Sequence, residues 1–403
     1  MIDKAKKVTS KYLSHYLDVP KGFGKIAWLV LVESLAMSVS FFISIYFSKA
    51  LGFNQAQIGY CISIMLSGSF CGALTCGYLT SKIRPVLLTS AGFILFGAAF
   101  SFLSITQSFY NMLPVMFACG FSSVLMMTSN LTSLVKLSDD DHFKNKALVL
   151  QSVIFNFTVT ITAYIISSFS YQSLKSLFIL ISASLFVAGI MTIKMSLGAT
   201  ESVNNCNKEK DFRPNYSLLT CIIPMIICYS VVFAMVKSLF AIDAINRFDN
   251  NGLSWVIMSL NPLLVVFMQP TLFSFLKNKN NILLMTVGGV CLCLGYLFFG
   301  ITKLFIPSLF FIVLATIGEM IVSPISKRLA SSSLGQGYEG MGLSMWKVVY
   351  YISGMIGASS TGYIGHRLGH EFAWLVCLPL SLIIIFSYWR FNKVSTNTVL
   401  SHT

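Results

Sequence analysis

The sequence predicts an all-α membrane protein: twelve transmembrane helices in two pseudo-symmetric six-helix bundles. Three observations predict it. Twelve long apolar stretches fill the 403 residues almost end to end. The composition is 55% hydrophobic and only 10% charged, which leaves little polar material for a soluble domain. By our count 21 of the 28 Lys and Arg fall on segments of one side, five on the other and two inside stretches. Lipid cannot hydrogen-bond a free backbone, so apolar runs of this length must cross as helices. At ~1.5 Å rise per residue, a ~30 Å hydrocarbon core takes about 20 residues.

The first six stretches cover 26–49, 58–80, 86–106, 111–135, 147–168 and 173–195. The last six cover 216–241, 253–275, 281–301, 304–326, 341–364 and 372–389. Between the sixes lies the longest interior polar run, 198–215, with Glu201, Lys208, Glu209, Lys210, Asp211 and Pro214 but no apolar periodicity. The expected layout is a tail at 1–25, bundles at 26–197 and 216–391 joined by that linker, and a second tail at 392–403. The charge bias obeys the positive-inside rule and places both termini in the cytoplasm. Residues 1–25 lack an apolar core and do not read as a cleaved signal peptide. The net charge of +14 is explained by topology and anionic head groups, so no nucleic-acid partner is expected.

Of ten cysteines, nine sit within apolar stretches as small hydrophobes, and Cys206 lies in the linker. No His/Cys cluster has metal-ligand spacing, and no metal or cofactor is expected.

Four intramembrane charges carry the functional argument. Among the 14 acids, Glu33 in the first stretch and Glu319 in the tenth fall well inside. Lys237 and Lys347 are the intramembrane bases. An ionised group in lipid costs at least ~2.5–3.5 kcal/mol, so such residues normally face a cavity or a partner. By depth, Glu33, Glu319 and Lys347 share one level near the cytoplasmic side, whereas Lys237 lies near the outer end, where it can snorkel or face the cavity. A Glu319–Lys347 pair would hold one gate, and protonation of Glu319 or Glu33 would release it; a static pair that fixes packing is the other reading. Asn130, Asn156, Asn261 and Gln269 are helix glue or substrate contacts. Glycines 68, 72 and 77 and the run Gly354, Gly357, Ala358 and Gly362 mark close helix approach, expected between the halves.

Two local patterns carry a family resemblance. Gly77, Leu79, Lys82 and Arg84, between the second and third stretches, resemble the loop pattern G-x-L-a-D-r-x-G-r of the major facilitator superfamily. Ser81 stands where that pattern has Asp, and its second Gly is missing. Gly318-Glu319, Ser323-Pro324, Gly340-Met341-Gly342 and Trp346 are similar to proton-coupled oligopeptide transporters and related multidrug antiporters. The first stretch lacks the peptide family's E-x-x-E-R motif. The resemblance implies alternating access around a midplane site, proton handling at Glu319 and a gate near Arg84. It also implies a cavity lined by stretches 1, 4, 7 and 10, which raises Asn130, Tyr46, Tyr229, Phe233 and Lys237 as substrate contacts.

Other classes fit less well. A channel wants a re-entrant filter or a charge ring. An enzyme wants a catalytic constellation, and the nearest, Asp139-Asp140-Asp141-His142, reads as a solvated loop. No phosphate-binding G-x-x-x-x-G-K-[ST] loop is present. The expected function is therefore non-enzymatic: secondary active, proton-coupled transport of a small organic molecule, with efflux of amphiphilic compounds first and uptake of a peptide, siderophore or other nutrient as the alternative. The expected partners are that substrate, protons and the lipid bilayer, with the chain working as a monomer in a bacterial inner (plasma) membrane.

Overall fold

The computed structural model describes residues 23–79, 82–135, 141–168, 173–194, 212–249, 252–276, 279–335 and 338–400. Most of the tail and the linker, together with Ser81, Asp139 and Asp140, lie outside them. Every described element is helical. The first half holds α1 (Phe23–Phe41), α2 (Ile43–Ala50), α3 (Gln55–Leu79), α4 (Pro85–Ile105), α5 (Phe109–Val135), α6 (Asp141–Ser168) and α7 (Leu174–Lys194). The second holds α8 (Tyr216–Phe248), α9 (Ser254–Leu276), α10 (Asn281–Ile301), α11 (Phe305–Ser332), α12 (Glu339–Leu368), α13 (His370–Leu375) and α14 (Cys377–Leu400).

Every one of the twelve apolar stretches is helical, but fewer stand alone as spans. Eight helices are long and apolar enough to cross a bilayer, nine when α1 and α2, bent by 42°, count as one. The remaining long helices, α6, α9 and α12, are the ones that meet across the two halves of the chain or flank that contact.

Local chemistry starts the helices where they begin. Asn54 and Gln57 form a reciprocal cap at the head of α3, each side chain accepting the other's backbone N–H at 2.9 Å. Asn215 accepts the Leu218 N–H to open α8, and Asn280 accepts from Ile282 and Leu283 to open α10. Gly52 and Gly252, with φ of 68° and 62°, turn the chain at matching places after α2 and α8.

The pairings repeat. In the first half α3 packs on α5, α4 on α5 and α7, and α1 on α6. In the second, α9 packs on α11, α10 on α11 and α14, and α8 on α12. Across the halves α3 meets α12 and α6 meets α9, two contacts exchanged by the same pseudo-twofold. A five-residue π-helical turn recurs as well, at Tyr46–Ala50 and Val236–Phe240. Large exposed side chains such as Leu95, Phe102, Leu180, Phe310 and Ile385 form the outward face expected to meet lipid.

The close approach between halves differs in detail from the expected glycine pattern. A Cβ on Gly59 would fall 2.9 Å from the Gly362 Cα, and one on Gly362 would fall 2.8 Å from the Gly59 Cα. Gly68 and Gly72 instead press on the Phe117 and Phe121 backbone of α5, inside the first half. Gly357 presses on Val231 of α8, inside the second. Small residues thus serve packing within each half as much as the seam between them.

One end of the molecule is closed. Let the linker end be the one where α7 stops at Lys194 and α8 starts at Tyr216. At the far end Lys49 Nζ donates to Asn246 Oδ1 at 2.7 Å and Gln55 Nε2 to the Ser238 carbonyl at 3.2 Å. Ser63 Oγ donates to the Met355 carbonyl nearby. Tyr164 meets Trp255 edge-on at 5.8 Å. Among the described residues, the hydrogen bonds between the halves all lie towards this far end.

Candidate proton and substrate sites

Each half holds one carboxyl tied to an asparagine amide. Glu33 of α1 is 4% exposed and accepts from Asn130 Nδ2 of α5 at 2.5 Å. Glu319 of α11 is half-buried and accepts from Asn261 Nδ2 of α9 at 2.7 Å. Among the described residues neither acid has a cation within ion-pair distance. Lys347 in particular does not pair with Glu319 in this conformation, and the base in electrostatic reach of Glu319 is Lys327. Lys327 in turn lies near Lys347.

The surroundings of the two acids differ. The Asn130 Oδ1 atom is buried without a hydrogen-bond donor, so the first pair is one donor short. Asn261 instead lies beside the Tyr296 hydroxyl. Tyr229, Tyr296 and Tyr350, from α8, α10 and α12, all lie within the electrostatic reach of Glu319. Glu33 is sealed in the first half, whereas Glu319 keeps partial exposure.

A strip of rings runs near Glu319. Phe233 lies 6.0 Å from Tyr229 and 6.2 Å from Tyr350, ring centre to ring centre, and touches Phe41 of the first half at 6.2 Å. Tyr350 stacks on Trp346 at 4.8 Å and 14°. The indole N–H of Trp346 donates to Ser326 Oγ at 3.0 Å, which pins the ring. An ammonium caps each end: Lys237 Nζ is 5.3 Å from the Phe233 centroid and Lys327 Nζ is 5.1 Å from that of Trp346.

The remaining expected residues fall elsewhere. Lys237 turns inward over Phe233 from the π-helical turn and does not snorkel to the surface. Tyr46, expected in the cavity, is 1% exposed and packs edge-on against Phe178 of α7 at 4.8 Å, with its hydroxyl unpartnered. The π-helical turn and the bend before it rotate Tyr46 into the first-half core. Arg84 is exposed just before α4, and its carbonyl accepts the Leu87 and Leu88 N–H groups. Asn156 bonds the Ser152 carbonyl of its own helix at 2.8 Å.

A second polar cluster was not foreseen. Asp243, 2% exposed, accepts from Trp374 Nε1 at 2.6 Å and Arg247 Nη2 at 3.1 Å, and lies 2.5 Å from His370 Nδ1. Arg247 also donates to the carbonyls of Phe299, Gly300 and Thr302 at 2.7–3.0 Å. The cluster ties α8, the end of α10 and α13 together at the far end. The available signal was the i, i+4 spacing of Asp243 and Arg247 beyond the expected end of the seventh stretch at Ala241. Among the described residues no group of three His, Cys, Asp or Glu is placed to hold a metal ion.

A family model described as Major Facilitator Superfamily matches residues 26–358. The chain belongs to that superfamily. No curated protein matches it in sequence. Solved transporters share the fold at low identity. A POT family transporter in complex with 5-aminolevulinic acid superposes with a TM-score of 0.77 at 14% identity, covering 93% of this chain and 98% of the other. A peptide transporter POT variant in complex with alafosfalin gives 0.76 at 13%, covering 94% and 96%. The nucleoside transporter NupG gives 0.73 at 11%, covering 92% and 98%. The pseudo-twofold pairing of helices described above is therefore the major facilitator fold, and the chain is a multi-pass transporter of that family.

Proposed function

We propose that this transporter couples proton movement to alternating access for a small amphiphilic organic molecule, with Glu33 and Glu319 as the proton-carrying groups. The observation that carries the reading is the pair of carboxyl–amide contacts, Glu33–Asn130 and Glu319–Asn261, neither with an ion-pair partner among the described residues. A buried carboxylate held only by an amide carries its charge at a cost, and a bound proton removes that cost. The missing donor at Asn130 Oδ1 fits the same scheme, because a protonated Glu33 supplies the O–H that a turned amide would accept.

The far-end contacts make the present conformation one that opens at the linker end. With the linker in the cytoplasm, as the charge bias indicates, this is the inward-facing state. Lys347 then belongs to the opposite gate, where it meets Glu319 only when the linker end closes. Arg84, exposed on the same side, joins that gate. The substrate rests against Tyr229 and Phe233, with Asn130 reached through Glu33.

Export is the direction favoured by the aromatic strip, which suits amphiphiles. Uptake of a nutrient is supported by the Gly318–Pro324 likeness and by the peptide and nucleoside carriers that share the fold. Metabolite profiling of cells with and without the protein, on both sides of the membrane and with a protonophore, separates these. The reading expects a compound whose distribution depends on the protein and collapses with the protonophore. Glu33→Gln and Glu319→Gln must each abolish that dependence; full pH-driven transport in both would end the reading.

A further inference from the structure

The cation at the first-half end of the aromatic strip identifies a substrate charge. Lys237 lies in the π-helical turn of α8, half-buried, where Phe233 reaches across to Phe41 of α1. Its ammonium rests on the Phe233 face. Among the described residues it has no hydrogen bond or ion pair, and no acidic side chain acts on it. An unpaired ammonium in a membrane interior is retained where it meets water or a ligand.

The other bases add to the bias. Lys327 and Lys347 are close enough to act on each other at the linker end of the strip. The acid nearby, Glu319, already has Asn261 for a partner. The strip is thus electropositive over most of its length, and its half-buried rings, Phe233 and Tyr350, offer apolar surface to a flat body.

We propose that the substrate is an organic anion with a flat apolar body, its acidic group bound to Lys237 and its body laid against Phe233, Tyr229 and Tyr350. This deepens the carrier reading above and rests on it, but the binding step itself needs no proton gradient. A carboxylate, sulfonate or phosphonate on Lys237 forms the charge-assisted hydrogen bond that the protein leaves unmade. The ring faces then take the body that water would otherwise solvate. Cationic amphiphiles are disfavoured by the same three lysines.

Binding of three naphthalene probes to the purified full-length protein tests this by equilibrium dialysis. The probes are 2-naphthoate, 2-naphthamide and 2-naphthylmethylammonium. Naphthoate should bind at least about tenfold tighter than the amide, the gain of one charged hydrogen bond, and the ammonium weakest. Lys237→Gln should erase the anion preference while leaving amide binding in place, and Lys237→Arg should keep it. Unchanged thermal melting of both variants guards against misfolding. Tighter binding of the amide or the ammonium, no binding of naphthoate up to its solubility, or an intact preference in Lys237→Gln overturns the proposal. Absence of pH-driven transport in the unmodified protein, with anion binding intact, would instead count against the coupling scheme alone.

Discussion

The two halves of the molecule place one acid each against one asparagine and then treat the pair in opposite ways. In the first half Glu33 is sealed at 4% exposure, its partner Asn130 has a buried oxygen with no donor, and among the described residues no cation is paired with it. In the second half Glu319 is half-buried, the Tyr296 hydroxyl lies beside Asn261, and three tyrosines and Lys327 are within electrostatic reach of the carboxyl. A sealed acid with an incomplete partner can exchange a proton and little else. An acid beside an aromatic strip and two lysines can feel both a proton and a bound molecule. The difference assigns proton storage to the first half and the exchange between proton and cargo to the second.

A further asymmetry separates the halves at the far end. Asp243 gathers Arg247, His370 and Trp374 in the second half. Removing a buried acid strands its basic partners, so Asp243→Ala should destabilise the protein by about 3–5 kcal/mol, read as a fall in detergent melting temperature. A change within a few tenths of a kcal/mol would mean that the cluster is incidental.

The next largest effect bears on the comparison directly. Glu319→Gln should cut proton-driven transport by about a hundredfold, the loss expected when a proton-handling group is removed, and should also change cargo affinity. Glu33→Gln should lose the proton dependence but keep cargo affinity. Equal effects of the two on affinity would erase the proposed division of labour.

Amide truncation sharpens the contrast at a smaller scale. Asn130→Ala leaves a sealed carboxyl without its amide donor and should cost about 2–3 kcal/mol of stability. Asn261→Ala should cost about 1 kcal/mol, because water and the surrounding hydroxyls can serve Glu319. The smallest expected effect is Tyr296→Phe, about 0.5 kcal/mol, since it takes away only the hydroxyl beside Asn261 and keeps the ring packed on Trp374 at 5.7 Å.

Much of this architecture could be read before any coordinates. Lipid forces helices on long apolar runs, and the twelve stretches and the six-and-six division follow from that rule. Glu33 and Glu319 stood out because a charge inside a span is costly. What remained hidden was pairing across the fold. Asn130 and Asn261 read as helix glue because nothing local tells an asparagine that its partner is 97 or 58 residues away. Two helix ends were also set too early. Ending the tenth stretch at Ser326 left Lys327 in a loop, whereas α11 runs to Ser332. Ending the seventh at Ala241 hid Asp243, which α8 carries inward before stopping at Phe248. Polar residues near a helix end look like loop to hydropathy, and only tertiary partners keep them helical and buried. Tyr46 shows the reverse error, for the bend of 42° and the π-helical turn redirect a side chain that ideal helix geometry aims at the cavity.

The most direct test of the two-acid account needs no knowledge of the cargo. Infrared difference spectra of the reconstituted protein, titrated across pH, report the carbonyl stretch of a protonated carboxyl. The account predicts two such bands at different frequencies, one lost in Glu33→Gln and the other in Glu319→Gln, with only the second shifting when an organic anion binds. A single band that survives both substitutions, or none at any pH, would contradict it.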